Sequence, residues 1–218
     1  MSFKLMYITN RTDVAKIAED AGVDRIFVDL EYIGKHLRQG GMDTVQNRHT
    51  PEDAKNIKSV LSKAQLLVRV NPVHDATDDY TSTEEEIDAV VEAGADVIML
   101  PYFKTASEVK RFISAVGGRA KTMLLFESAV SVENIDSILE LDGIDEVYIG
   151  LNDLSLDLGR KFLFQILADG TVEKITKKFK EKNLPFGFGG LATLDGGALP
   201  GSNVLPEHFA LGSTCGIL

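Results

Sequence analysis

Glu127 closes the apolar run KTMLLFE, and Asp153 lies just past the next one, VYIGLND. If the two runs are neighbouring parallel strands, about 4.8 Å apart, both carboxylates reach one point. Two hard oxygen donors suit a divalent cation. The chain has no cysteine or histidine cluster, so Mg²⁺ or Mn²⁺ is expected rather than zinc, with the remaining coordination positions left to water and substrate oxygens. Arg69 stands inside QLLVRVNP, among apolar neighbours, where an unpaired guanidinium is costly. It has two readings: an ion pair with Glu31 or Asp29, which end FVDLE, or a clamp on a substrate carboxylate or enolate oxygen. Asp153 alone, in NDLS, also has the composition of a helix cap. The acid pair together with Arg69 is what points to a site.

These residues meet only if strands deliver them to one place. Apolar, β-branched runs at 3 to 9, 24 to 31, 65 to 71, 95 to 101, 120 to 127, 144 to 150 and 184 to 188 read as strands separated by helical periodicity. Thr50 before Pro51, and Thr105 with Glu108, mark helix starts. In the second of these helices Val109, Phe112, Ile113 and Val116 form one apolar stripe. AGVDRIFVDLE, AGADVIMLPYF and DGIDEVYIGLND repeat a Gly-x-Asp turn into a strand, with Gly22, Gly94 and Gly143 placed to close the preceding helix. A recurring βα unit predicts a parallel sheet covered by helices. HFALGS (208 to 213) supplies an eighth strand, so the expected fold is a TIM (β/α)8 barrel, one domain over residues 1–218. A Rossmann-like sheet would need G-x-G-x-x-G between a strand and a helix, and none stands there. The sequence stops at Leu218, where an eighth helix should begin, so the last helix is expected to be missing or truncated. Six glycines in GFGGLATLDGGALPGSN (187 to 203) predict an irregular, mobile loop over the mouth of the barrel.

With 33 acids against 23 bases the net charge is −10, which argues against a nucleic-acid partner. Cys215 is the single cysteine, so no intrachain disulfide forms and a reducing, cytoplasmic location is expected. The apolar stretch of MSFKLMYITNR is too short for a signal peptide, and Asp29, Arg69 and Asp96 interrupt apolar runs before membrane-spanning length, so no membrane partner is expected.

The segments FVDLE, LVRVNP, GADVIMLPYF, LLFES and YIGLNDLSLDLG, in this order and spacing, resemble the HpcH/HpaI aldolase and citrate lyase family, metal-dependent carbon–carbon lyases on a TIM barrel. The likeness is strongest over about residues 8 to 160. It implies that Glu127 and Asp153 bind the metal, that Arg69 contacts a keto acid, and that Asp29 borders the site and holds metal-bound water. It further implies that the backbone of Gly150, Leu151 and Asn152 lies near the substrate carboxylate, and that the protein forms homo-oligomers, hexamers or trimers. Pyruvate aldolases of the family carry a histidine directly after the acid matching Glu31, a general base that works with an acid from a nearby helix end. Here Tyr32 holds that position, with Glu92 as the candidate acid, and a phenol of pKa about 10 is a poor base at neutral pH. His36 and His74 are candidate substitutes. The citrate-lyase branch also lacks the histidine, so cleavage of an acyl-CoA is one alternative. Binding of metal and a small acid without turnover is another.

The expected reaction makes or breaks the bond next to the carbonyl of a 2-oxo acid, through a pyruvate-like enolate, with an aldehyde or acyl partner. The metal would act as Lewis acid and Arg69 as a fixed positive charge on the enolate oxygen. A Schiff-base route needs a lysine in an apolar site; Lys104, directly before TASEVK, reads instead as a pre-helix residue. Lys35, His36, Arg38, Arg48 and His49, in the loop from 34 to 50, would suit an anionic substrate or form a solvated face.

Overall fold

The computed structural model describes residues 3–34 and 49–218. Eight parallel strands close into a barrel in chain order. They are β1 (Lys4–Ile8), β2 (Arg25–Asp29), β3 (Gln65–Arg69), β4 (Val97–Leu100), β5 (Lys121–Phe126), β6 (Glu146–Ile149), β7 (Phe186–Phe188) and β8 (Cys215–Ile217). The helices outside them are α1 (Thr12–Asp20), α2 (Pro51–Val60), α3 (Thr83–Glu92), α4 (Ala106–Val116), α5 (Ala129–Glu133), α6 (Ile135–Leu139), α7 (Leu151–Asp157), α8 (Gln165–Ala168), α9 (Thr171–Glu181) and α10 (Gly201–Leu211). This is the expected TIM-type α/β barrel. The predicted starts are seen: Thr50 and Thr105 cap α2 and α4 in reciprocal boxes with Asp53 and Glu108. In α4, Val109, Phe112 and Val116 are buried against the sheet, the stripe that amphipathic spacing requires.

Period-two alternation then sorts every strand residue. Ile26, Val28, Leu66, Val68, Leu124, Phe126, Val147 and Ile149 point outward into the layer shared with the helices. Their alternates point inward, where Phe27, Leu67, Met99, Met123, Leu125 and Tyr148 pack a separate inner core. Continuing the same alternation places Arg25, Gln65 and Glu146 below that core and Asp29, Arg69 and Glu127 above it. The lower layer is closed by a fully buried ion pair, with Arg25 donating to both Glu146 oxygens at 2.6 and 2.7 Å and to Gln65 Oε1 at 3.0 Å. The upper layer is the mouth of the barrel, the end at which barrels of this type assemble sites.

Two expectations are corrected. HFALGS is not a strand: its first residues end α10, Gly212 caps that helix with φ 75°, and β8 begins at Cys215. The run wraps around the helix rather than alternating: of its helical residues only His208 is buried, on one face with Gly201 and Val204, while Phe209 is exposed. The glycine-rich stretch is also regular at both ends, in β7 and in α10; only residues 189–200 hold neither helix nor strand. Gly187 serves close contact rather than freedom, since a Cβ there would lie 2.4 Å from the Cys215 carbonyl oxygen.

Candidate active site

Asp29 and Arg69 are cross-strand partners in the β2–β3 register, which sets their side chains side by side at the mouth. Arg69 donates from Nε and from one terminal nitrogen to the two Asp29 oxygens, each at 2.8 Å, and its other terminal nitrogen lies 3.4 Å from Glu31 Oε2. Both acids proposed as ion-pair partners are therefore engaged. Burial works against the guanidinium's charge, but Asp29, Glu31 and Glu127 outweigh it and hold its proton more tightly than usual. Of the five N–H groups of a guanidinium, this arrangement leaves donors over for a ligand. Arg69 also lines the mouth pocket, so the structural and the clamping readings coexist.

Glu127, 4 % exposed, follows β5 on its inward face. Its Oε1 accepts the backbone N–H of Tyr102 at 3.0 Å. Tyr102 has φ 46°, a conformation that costs a non-glycine residue about 1–3 kcal/mol and that here aims its N–H at the acid. Asp153 stands in the first turn of α7, which is capped by Gly150 and not by the acid itself. Its Oδ1 accepts from Asn152 Nδ2 at 3.0 Å. One pocket of about 370 Å³ is lined by Arg69, Glu127, Gly150, Leu151, Asn152 and Asp153, so six of the expected residues share it.

Tyr32 and Glu92 stand elsewhere. Tyr32 is 47 % exposed, packs on the Tyr80 ring with centroids 5.5 Å apart, and lines a second pocket with Asn71, His74 and Glu86. Burial, then the charge of Glu86, pushes its phenol above the usual value, which leaves still less phenolate to act as a base at neutral pH. Glu92 is the exposed last residue of α3, at the end of that helix nearest the amino terminus of β4 and so opposite the mouth. The buried acid of α3 is Glu86, which accepts from the Asn71 side chain at 2.7 Å and from its backbone N–H at 3.2 Å. Asn71 Oδ1 in turn accepts from Tyr32 N and Ile33 N, both at 2.9 Å, and so holds the segment that follows Glu31. Burial raises Glu86 above the ordinary carboxylate value, a shift that its Asn71 bonds oppose.

The histidines sort differently from expectation. His36 lies outside the described residues, as do Lys35, Arg38 and Arg48. His74 braces its own loop, with ring nitrogens 2.7 Å from the Pro72 carbonyl and 2.8 Å from that of Thr81. His49 lines the second pocket with Tyr32, its Nδ1 accepting the backbone N–H of Asp29 at 3.0 Å, which leaves the proton of a neutral ring on Nε2. Lys104 is exposed, with Nζ 5.4 Å from the Tyr102 ring, and lacks the apolar surroundings a Schiff-base lysine needs. Sequence reasoning passed over Glu86, although helical spacing puts it on the inner face with Thr83, Ile87 and Val90. It had no signal for Tyr102, whose role lies in its backbone.

Among the described residues no helix is long and apolar enough to cross a membrane. Residues 4–163 match the family described as HpcH/HpaI aldolase/citrate lyase. The chain is 26 % identical to the hydroxypyruvate/pyruvate aldolase of Roseobacter denitrificans, over 78 % of this chain and 77 % of that protein. It is 25 % identical to the 4-hydroxy-2-oxovalerate aldolase of Rhodococcus jostii and 27 % to the 2-keto-3-deoxy-L-rhamnonate aldolase of Salmonella paratyphi B, over 66 % and 67 % of this chain. It spans only 59 % and 58 % of the length of those two relatives. The barrel superposes on the crystal structure of an HpcH/HpaI aldolase from Desulfitobacterium hafniense with a TM-score of 0.73, at 18 % identity, covering 99 % of this chain and 85 % of that one. An HpcH/HpaI aldolase/citrate lyase family protein from Burkholderia cenocepacia gives 0.74 at 13 %, covering 100 % and 88 %. These structural likenesses speak to the fold alone. The family match covers well over half of the sequence: the chain belongs to the HpcH/HpaI aldolase/citrate lyase family.

Proposed function

We propose that this protein is a divalent-metal-dependent carbon–carbon lyase of aldolase type, acting on a 2-oxo acid through its enolate. The observation that carries this reading is that Arg69, Glu127 and Asp153 line one pocket at the mouth of the barrel. Glu127 and Asp153 would hold Mg²⁺ or Mn²⁺. Among the described residues no group of three or more His, Cys, Asp or Glu side chains gathers to hold an ion, and a site of two carboxylates completed by water and substrate oxygens is the habit of Mg²⁺ rather than zinc. When bound, the ion supplies Lewis-acid polarisation of the substrate's carbonyl and carboxylate. The chain's own residues do the rest. Arg69, held rigid by Asp29, places positive charge where the enolate oxygen develops, a preorganised term that costs no rearrangement during the reaction. The backbone from Gly150 to Asn152 receives the substrate carboxylate. Tyr32 is a poor base for the proton, and the imidazole of His49, bonded to the Asp29 backbone N–H, lines the same second pocket as Tyr32. The protein works in the cytoplasm as a homo-oligomer, a hexamer or trimer.

A second reading, binding of metal and a small acid without turnover, is favoured by Tyr32 standing where relatives carry the base and lining a different pocket from Glu127. Cleavage assays with a panel of 4-hydroxy-2-oxo acids decide between them. Release of pyruvate that depends on Mg²⁺ or Mn²⁺ and stops with chelator supports the lyase; metal binding without release from any substrate supports the second reading.

A further inference from the structure

The mouth of the barrel is divided in two. The charged side chains of its lining, Arg69, Glu127 and Asp153, come from β3, β5 and the first turn after β6. On the β7–β8 side the lining is Gly189, Gly190, Leu191, Ile217 and Leu218, joined by Leu163 from the segment between α7 and α8. None of these has a side-chain hydrogen-bonding group, and the Tyr148 hydroxyl that also borders this side is already engaged, donating to the Phe188 carbonyl at 2.6 Å and accepting the Ile217 N–H at 3.0 Å. Leu191 is built into its place: a Cβ on Gly216 would lie 2.4 Å from Leu191 Cδ1, and one on Gly190 would lie 2.6 Å from the Phe164 ring. Gly216 thus leaves room for Leu191 in the apolar wall, and Gly190 leaves room for Phe164.

We propose that this wall is the subsite of the second substrate and selects an aldehyde with a plain hydrocarbon chain over hydroxylated, carboxylated or phosphorylated ones. The inference rests on the aldolase reading above and names its substrate class. With the carboxylate and carbonyl of the 2-oxo acid held on the charged side, the nucleophilic carbon faces the rest of the pocket. The donor methyl gives up a proton, its carbon bonds to the aldehyde carbonyl carbon, and the aldehyde oxygen takes a proton to become a hydroxyl; nothing is oxidised or reduced. The chain of the aldehyde then lies against Leu163, Leu191 and Ile217. A hydroxyl there gives up water and finds no free side-chain partner on this wall among the described residues, whereas a methylene loses nothing.

The test uses the unmodified chain with Mn²⁺ and pyruvate in two measurements. Exchange of the pyruvate methyl protons for deuterium, followed by NMR without any aldehyde, reports enolate formation alone. Aldol addition is then compared for butanal, glyceraldehyde and succinic semialdehyde. Exchange together with a kcat/KM for butanal about tenfold or more above both others is expected, the scale on which pockets reject a group they cannot pair. Replacing Leu191→Asn should narrow that ratio. Exchange with glyceraldehyde or succinic semialdehyde equal to or better than butanal overturns the subsite and leaves the lyase reading standing. Absence of exchange overturns the lyase reading and this inference with it.

Discussion

Gly150 stands so close to Glu127 that a Cβ added to it would lie 2.8 Å from Glu127 Cβ and 2.9 Å from Oε2. The backbone of Gly150, at φ −82° and ψ 90°, is open to alanine, so the glycine is required by the neighbouring acid and not by its own conformation. Gly150→Ala should therefore keep the fold while displacing Glu127. Mn²⁺ affinity should fall about 10–100-fold, as for other residues that orient a ligand. Calorimetric titration with Mn²⁺, beside a melting curve, checks both halves.

Removing the acids themselves should separate their structural duties. Glu127→Ala and Asp153→Ala should each weaken Mn²⁺ binding by orders of magnitude. Glu127→Ala also orphans the Tyr102 N–H, at a cost of about 1–3 kcal/mol, whereas Asp153→Ala should leave stability nearly unchanged. Unaltered metal affinity in both variants would remove the site.

Arg69→Lys loses the planar fork that fits Asp29 at two points. If Arg69 stabilises the enolate oxygen, kcat/KM should fall by about 2–4 kcal/mol with kcat contributing, the size of one strong oxyanion donor. A variant that is merely less stable, with full turnover in its folded fraction, would return Arg69 to a structural ion pair.

Tyr32→His places an imidazole within the influence of Glu86, the acid that the structure brings to this position in place of Glu92. Turnover of simple 2-oxo acids should rise, because an imidazole of pKa about 6.5 is matched to neutral pH and a phenol is not. Adding Glu86→Gln should cancel the gain. Steady-state rates of the single and double variants against the parent supply the check.

His208 predicts an acid limit to stability. It is fully buried, stacks on Phe188 with centroids 3.7 Å apart, and its Nε2 has no hydrogen-bond partner among the described residues. Burial lowers its pKa to about 4, so the unfolded chain binds the extra proton first as pH falls. The contribution is present in full above the unfolded value of about 6.5 and is lost progressively toward pH 4, on the order of 3 kcal/mol at most. Denaturant melts between pH 7.5 and 5 should show the parent weakening more steeply than His208→Phe; equal slopes would exclude His208 as the cause.

The barrel and the inward ends of its strands were legible because local patterns carry them. Alternation decides which residues of FVDLE, QLLVRV and KTMLLFE face inward, and strand ends in a parallel barrel all point to one mouth, so Asp29, Arg69 and Glu127 were readable together. Local pattern fails where contact across the barrel decides. HFALGS has the composition of a strand and folds as the end of a helix, since its buried positions answer to β7 and β8 rather than to its own sequence. Gly187 looked like freedom and serves close packing against Cys215, while Gly190 combines a positive φ with close approach to Phe164. Glu86 rather than Glu92 was settled by which face of α3 turns inward toward Asn71. The positive φ of Tyr102 and the Asp29–His49 bond join residues distant in the chain or depend on backbone alone, and no spacing rule reaches either.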